Sequence, residues 1–226
     1  MAIIRTDIIQ GSDEWFTARL GIPTASEFSR IITPARGDLS KSAREYAHEL
    51  VAETLLGRPL LDTGANTFAM QRGRDLEPHA AAQYELTHRV ETQRVGFITT
   101  NDGRIGCSPD RLIVGTRRAI EIKCKLDSAH MSMWIDGPGD KHKPQAQGIL
   151  AVGEFSGLDL YGWHPELPPI CISVERDEPY IAKMSAALRE FLDMRDAMLA
   201  RALASGWIIS KPDVPATWTA VRGLAA

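Results

Sequence analysis

Three cysteines in 226 residues, Cys107, Cys124 and Cys171, are too few and too scattered to frame a disulfide scaffold or a thiolate zinc site. They read as reduced thiols of a cytosolic protein, and Cys107 and Cys124, with no base beside them, as small buried hydrophobes. The six histidines show no metal-ligand spacing. No apolar run reaches the ~20 residues that span a bilayer. The N-terminus also lacks the charged stretch, apolar stretch and small-residue cleavage site of a secretory leader, so no membrane partner is expected. Glycine is too sparse in Gln71-Arg-Gly-Arg for a phosphate-binding loop, and no dinucleotide fingerprint, internal repeat or low-complexity segment occurs. Excess positive charge is missing too: 26 Lys and Arg stand against 29 Asp and Glu, a net charge of −3. Any polyanion-binding surface must therefore be local.

What is present is the composition of a soluble globular chain, 44% hydrophobic and 24% charged. Its length suits one domain with a real core; we expect that domain over residues 1–210 and an irregular tail, with Pro212, Pro215 and Trp218, over 211–226. Basic residues gather in the middle (Arg72, Arg74, Arg104, Arg111, Arg117, Arg118, Lys123, Lys125, Lys141, Lys143), with acidic residues interleaved.

The first part of the chain reads as helical. Thr24-Ala-Ser-Glu27 has the form of a capping box opening a helix through Ile32. A second helix is predicted from Ser40 to Leu56, ended by Gly57 and Pro59. A third covers Asn66 to His88, with Phe68, Leu76, Ala80 and Tyr84 on one side and Gly73 inside it at a cost of roughly 1 kcal/mol relative to alanine. From Val95 the pattern shortens to β-branched runs: Val95–Thr100, Asp110–Val114 and Ala119–Lys125, separated by turn residues, describe an antiparallel meander. Helical stretches at His130–Ile135 and Pro144–Val152 follow, then strands at Leu158–Trp163 and Ile170–Val174 and a long amphipathic helix over Glu178–Ala204. The sum is an α/β (α+β) fold with a mixed central sheet flanked by helices.

The chemistry concentrates in Cys107-Ser-Pro-Asp110, followed after a ten-residue spacer by Glu121-Ile-Lys123. If Ala119–Lys125 is a strand, Glu121, Lys123 and Lys125 share one face and Ile120, Ile122 and Cys124 the other. Asp110 starts the preceding strand of the same hairpin. Two carboxylates converging on one point suit a hard, oxygen-seeking ion such as Mg²⁺, and an ammonium two residues along can orient water or neutralise charge on a reacting phosphate. The same segment also reads as a half-exposed hairpin with its charges merely solvated; Pro109, fixing the start of the strand, favours the first reading. Glu77 in Arg72-Gly-Arg-Asp-Leu-Glu77 is a further carboxylate, and Gly73 would let sheet or substrate approach. Gln145 and Gln147 offer amides.

The Pro-Asp…Glu-x-Lys pattern is that of restriction-endonuclease-like nucleases. Together with Gly11-Ser-Asp-Glu-Trp15-Phe-Thr-Ala-Arg19 through Ser26, with Arg72–Glu77 and with Pro144-Gln145-Ala-Gln147, it resembles the lambda-type phage exonucleases, the viral recombinase nucleases of YqaJ type, from about Gln10 to Ala204. The resemblance implies a restriction-endonuclease-like core and a homotrimeric ring that threads duplex DNA. It further implies processive 5′→3′ degradation of one strand to mononucleotides, leaving a 3′ single strand for a single-strand-annealing recombinase, in a bacterial cytoplasm with phage or prophage origin. It assigns two Mg²⁺ ions (Mn²⁺ as a substitute) to Asp110, Glu121, the backbone carbonyl of Ile122 and Glu77, sets Lys123 beside the nucleophilic water and puts Gln145 at the active site. Arg19, Ser26 and Ser108 match a 5′-phosphate pocket, and Met70 a wedge that parts the terminal base pairs. One departure is Ala129, which aligns with a pocket arginine; His130 or Lys125 is a candidate replacement. A structure-selective endonuclease with the same metal core and a non-catalytic DNA-end adaptor are the alternatives.

Overall fold

Helices and strands alternate along the chain in the order the hydrophobic periodicities suggest, with short strands added between them. The computed structural model describes residues 1–60 and 68–210, with Ala69 and Met70 by backbone alone. In order they are β1 (Ile3–Arg5), α1 (Asp13–Ala18), a 3-10 turn (Ala25–Glu27) running into α2 (Phe28–Ile31), α3 (Ala43–Leu56), α4 (Phe68–His88), β2 (Thr92–Gln93), β3 (Phe97–Thr99), β4 (Gly106–Cys107), β5 (Arg111–Ile113) and β6 (Arg118–Lys123). Then come α5 (Asp127–Asp136), a 3-10 turn (Asp140–His142), α6 (Lys143–Val152), β7 (Gly157–Gly162), β8 (Ile170–Glu175) and α7 (Glu178–Ala204). The expected tail over 211–226 and the predicted start of the third helix at Asn66 lie outside the described residues.

The strands form a five-stranded mixed sheet in the order β2-β5-β6-β7-β8 and a three-stranded antiparallel sheet, β1-β3-β4. Only β6 and β7 run parallel in the larger sheet, joined by the crossover through α5 and α6. This is the restriction-endonuclease-like arrangement, a mixed central sheet flanked by helices. The main core packs α2, α3, α6 and α7 against one sheet face, with Phe28, Ile31, Leu150, Leu158, Met184 and Phe191 fully enclosed. A smaller cluster of Ala80, Ala81, Tyr84, Ile113, Ile120, Ile122 and Tyr161 seats α4 on the other face. Tyr84 donates to Asp159 Oδ2 (2.5 Å) and Arg118 to Asp159 Oδ1 (2.6 Å), a buried network that locks α4 to β6 and β7.

The helix predictions hold best where the apolar stripe is long. α7 matches its predicted bounds, and α3 ends as expected on Gly57, whose φ of 62° is the left-handed cap that glycine adopts without steric cost. Three readings are corrected. The capping box does not form: Thr24 Oγ1 accepts from Arg19 Nη2 and pairs with Ser26, leaving a 3-10 turn and a four-residue helix in place of one continuous helix. Phe68 is not on the packed side of α4 but 76% exposed. The single meander is two sheets. The Asn101-Asp102-Gly103 turn folds β3 back onto β4 (Ile98↔Cys107, Thr99↔Gly106), and Pro109, lacking an N–H, ends that ladder before β5 begins in the second sheet.

Candidate active site

β6 is buried on both faces, which is why its charged residues are not a solvated surface. Ala119 packs in the main core and Ile120 and Ile122 beneath α4, so alternation turns Glu121 and Lys123 toward α6. Glu121 is 5% exposed. Its Oε1 accepts from Lys123 Nζ (2.7 Å) and Gln145 Nε2 (2.6 Å), while Gln145 Oε1 accepts from Lys123 (3.1 Å). Its Oε2 is buried with no hydrogen-bond partner among the described residues. A buried carboxylate oxygen left so is costly unless another ligand meets it.

Asp110 stands at the break between the two sheets. Gln10 Nε2 fixes that break by donating to the carbonyls of Val95 (2.8 Å) and Pro109 (2.9 Å). The backbone N–H of Ile122 donates to Asp110 Oδ2 (2.6 Å), closing the hairpin's open end and setting Asp110 beside Glu121. Burial, then the neighbouring Glu121 and, more weakly, Glu77 push the Asp110 carboxyl up, against opposing pulls from Lys123 and the Ile122 N–H. Lys123 moves the other way from its surroundings: burial pulls its pKa down, but Glu121 and Asp110 outweigh this, and it stays an ammonium. Glu77 reaches in from α4, where Arg111 Nη1 donates both to its Oε1 (2.8 Å) and to the carbonyl of Asp110 (2.8 Å). Arg111 thus ties the helix carboxylate to the backbone of Asp110. Its sequence signal was only a place in the basic stretch.

Among the described residues no three acidic, histidine or cysteine side chains stand close enough to form a ready-made metal cage. The donors nevertheless fit a hard divalent cation. They are oxygens, they crowd like charges that a cation relieves, and Glu121 Oε2 is an unmet acceptor.

A second group assembles next to Pro109. The Arg19 guanidinium stacks 3.9 Å from the Trp15 ring centroid and bonds Thr24 Oγ1 (3.1 Å), which contacts Ser26 Oγ (3.2 Å). Trp15 Nε1 donates to Ser108 Oγ (3.0 Å) and the carbonyl of Gly96 (3.0 Å); Ser108 Oγ donates to the same carbonyl (2.8 Å). A side chain at Gly96 would collide with the Ile8 carbonyl, 2.0 Å from its Cβ, so glycine here lets the N-terminal segment lie against β3. Arg19, Ser26 and Ser108 are therefore brought together, with Trp15, whose role has no signal in the sequence, as the link. The α2 turn is too short to add a useful helix dipole, so an anion here would depend on the guanidinium.

The remaining candidates separate. Met70 falls in α4, and its side chain lies outside the described residues. Among the described residues nothing lies within 4 Å of a Cβ at Gly73, so contact with the sheet does not explain it. Ala129 is an exposed residue of α5, and His130 cannot replace an arginine there because it is fully buried with Nε2 on the Pro168 carbonyl (2.9 Å). All three cysteines are free; burial raises the Cys107 thiol far above its usual range and the half-buried Cys124 to about 11.

The sequence profile of the YqaJ-like viral recombinase domain matches residues 14–155, well over half the chain, a span that includes Arg19, Glu77, Asp110, Glu121, Lys123 and Gln145. The chain belongs to that family. Among solved structures, this YqaJ-like chain is similar to an alkaline exonuclease (LHK-Exo) from Laribacter hongkongensis, at 30% identity and a TM-score of 0.76 over 86% of this chain and 98% of the other. The same enzyme in complex with dAMP matches at 30% identity and a TM-score of 0.77, with the same coverage. A phage-related exonuclease from Haemophilus somnus 129PT shares the fold, at 15% identity and a TM-score of 0.64 over 80% of this chain and 96% of that one. No curated protein matches the sequence. Among the described residues no helix is long and apolar enough to cross a membrane.

Proposed function

We propose that this chain is a magnesium-dependent 5′→3′ exonuclease of double-stranded DNA that acts processively and leaves a 3′ single strand for recombination by annealing. The observation that carries this reading is the buried Glu121 carboxylate, one oxygen clamped by Lys123 and Gln145 and the other unmet, beside Asp110. Family membership and the similarity to an alkaline exonuclease, solved also with a deoxynucleoside monophosphate, support a DNA exonuclease in particular.

In this reading Asp110, Glu121, Glu77 and the carbonyl of Ile122 hold two Mg²⁺ ions, for which Mn²⁺ can substitute. Bound there, the metal polarises the scissile phosphodiester and acidifies water. Lys123, kept charged by its carboxylate neighbours, orients the attacking water and neutralises charge that develops on the phosphate. Gln145 keeps Glu121 and Lys123 in register. Arg19 grips the 5′-phosphate with two N–H groups, backed by Trp15. Ser26 and Ser108 add hydroxyls, with Ser108 exchanging its Gly96 bond for one to the phosphate. Met70 parts the terminal base pair. A homotrimeric ring around the duplex retains DNA topologically, which reconciles processivity with a net charge of −3. The exposed 3′ strand would pass to a single-strand-annealing recombinase in a bacterial cytoplasm.

The test is one set of digestions, with Mg²⁺ or EDTA, of linear duplex bearing a 5′-phosphate, linear duplex lacking it, and closed circles. Mononucleotides from phosphorylated ends are expected. Nicked circles would replace the proposal with an endonuclease, and no cleavage would replace it with a DNA-end adaptor.

A further inference from the structure

The fold pairs five of the basic residues of the central segment with carboxylates and ties others to backbone carbonyls. Arg104 pairs with Asp196, Arg111 with Glu77, Arg118 with Asp159 and Glu175, Lys123 with Glu121 and Lys143 with Asp177, while Arg117 bonds the Glu154 carbonyl. Lys125 and Lys141 differ: neither forms an ion pair with a carboxylate among the described residues. Instead cations meet. Lys125 Nζ lies 3.0 Å from His142 Nε2, and Lys141 is beside it. Arg72 comes from α4 to bond the carbonyls of Cys124 (3.2 Å) and Lys125 (2.9 Å). Of the acids close in sequence, Asp127 is bonded to His164 (3.1 Å) with Arg72 in its field, and Asp140, next to Lys141, acts on Tyr180.

Such a group repels itself. Burial, with Lys141 and Lys123, lowers the Lys125 ammonium to about 8; burial, with Lys125, Lys123 and Lys141, lowers His142 to about 4. His142 is thus a neutral acceptor for Lys125, and the unbalanced charge belongs to the lysines. Lys125, half-buried beside the exposed Lys141, favours an incoming anion, whose oxygens replace missing carboxylates. The place is informative. Lys125 lies two residues beyond Lys123, and His142 three residues before Gln145, so the cluster adjoins the Glu121–Lys123–Gln145 group. It is electrostatically distinct from the Arg19 group, whose guanidinium is lowered by burial and otherwise feels Tyr46, Glu27, Glu53 and Cys107, not the lysines.

We propose that Lys125 and Lys141, with Arg72 behind them, form a second anion subsite that holds an internal phosphodiester of the DNA strand next to the scissile one. The inference rests on the nuclease reading above, and its test keeps the two apart. Binding and initial cleavage rates are measured across a salt series for duplexes with 5′-phosphate and 5′-hydroxyl ends. The proteins are wild type, the double variant Lys125→Gln/Lys141→Gln, and Lys125→Arg, each checked for folding by circular dichroism. The double variant should weaken binding to both ends alike and lower the slope of log affinity against log salt by roughly 1 to 2. Lys125→Arg should keep most of the wild-type affinity. A neutral methylphosphonate at the linkage beside the scissile one should weaken wild type and leave the double variant unaffected. An unchanged salt slope in a folded, cleaving double variant overturns the subsite alone. Loss confined to 5′-phosphorylated ends overturns it too, by moving the lysines into the terminal-phosphate pocket in place of the arginine absent at Ala129. Wild-type protein that neither binds nor cleaves duplex DNA overturns the nuclease reading, and the subsite with it.

Discussion

Replacing Arg111 with methionine should damage stability and metal affinity together, and a second substitution should separate the two effects. Arg111 is 8% exposed and holds two acceptors with one nitrogen, Glu77 Oε1 and the Asp110 carbonyl, both at 2.8 Å. A hydrogen bond to a charged partner contributes about 1.5–3 kcal/mol. Glu77 is 27% exposed and has Arg94 at 4.0 Å, so water and that cation recover part of the loss and the lower end applies. The Asp110 carbonyl adds about 1 kcal/mol. The total, about 2–3 kcal/mol, lowers Tm by roughly 4–12 °C for a domain of this size. Because Arg111 fixes Glu77 relative to Asp110, Mg²⁺ affinity by titration calorimetry should fall about 10- to 100-fold, as when a residue that orients metal ligands is removed. The variant Arg111→Met/Glu77→Leu removes both charges. A buried pair replaced by apolar groups is close to neutral, so the double variant should regain most of the lost stability without regaining metal affinity. An Arg111→Met protein that melts within about 1 °C of wild type would refute the reasoning, as would a double variant no more stable than the single.

Lys123→Ala should reduce cleavage by roughly 10²–10³-fold while DNA binding persists in an anisotropy assay; near-wild-type turnover would remove Lys123 from its assigned role. Arg19→Ala should shorten processive runs on 5′-phosphorylated duplex more than on 5′-hydroxyl duplex in a single-turnover gel assay, and equal losses on both would count against a terminal-phosphate pocket. Lys125, lowered from 10.5 to about 8 in the fold, binds fewer protons than in the unfolded chain between those pH values, so its contribution to stability is least favourable below pH 8 and improves as pH rises. Lys125→Met should therefore be more stable than wild type to urea at pH 7 and lose that advantage toward pH 10.5; an advantage that grows with pH has the wrong sign.

The helices were readable where a stripe runs for several turns, as in α3, α4 and α7, because burial of one face dictates the sequence there. The strands β1, β2 and β4 were not, since two or three residues cannot establish an alternation. The capping box failed for a specific reason. Thr24 has one side-chain oxygen, and Arg19, five residues earlier, recruits it. A local motif yields when a tertiary partner offers a charged donor to the same atom.

The site shows the same limit from the other side. Asp110, Glu121 and Lys123 were legible as residue types at a spacing, but the choice between a solvated hairpin and a buried centre was not, because alternation is identical in both. Burial decides it, and burial comes from α6 and α4 arriving on opposite faces of β6 from distant parts of the chain. The central basic stretch was ambiguous for a related cause. A sequence lists cations without their partners, so Arg104, Arg118 and Lys143 looked equal to Lys125 and Lys141. Once folded, the first three are spent on carboxylates from β7, β8, the segment after β8, and α7, elements the stretch itself does not contain. The net charge of −3 then says little about whether the chain can hold a polyanion. What governs it is where the fold leaves cations without acids, and Lys125 and Lys141 are left so beside Lys123, where a phosphodiester backbone has to pass if Glu121 and Asp110 are to act on it.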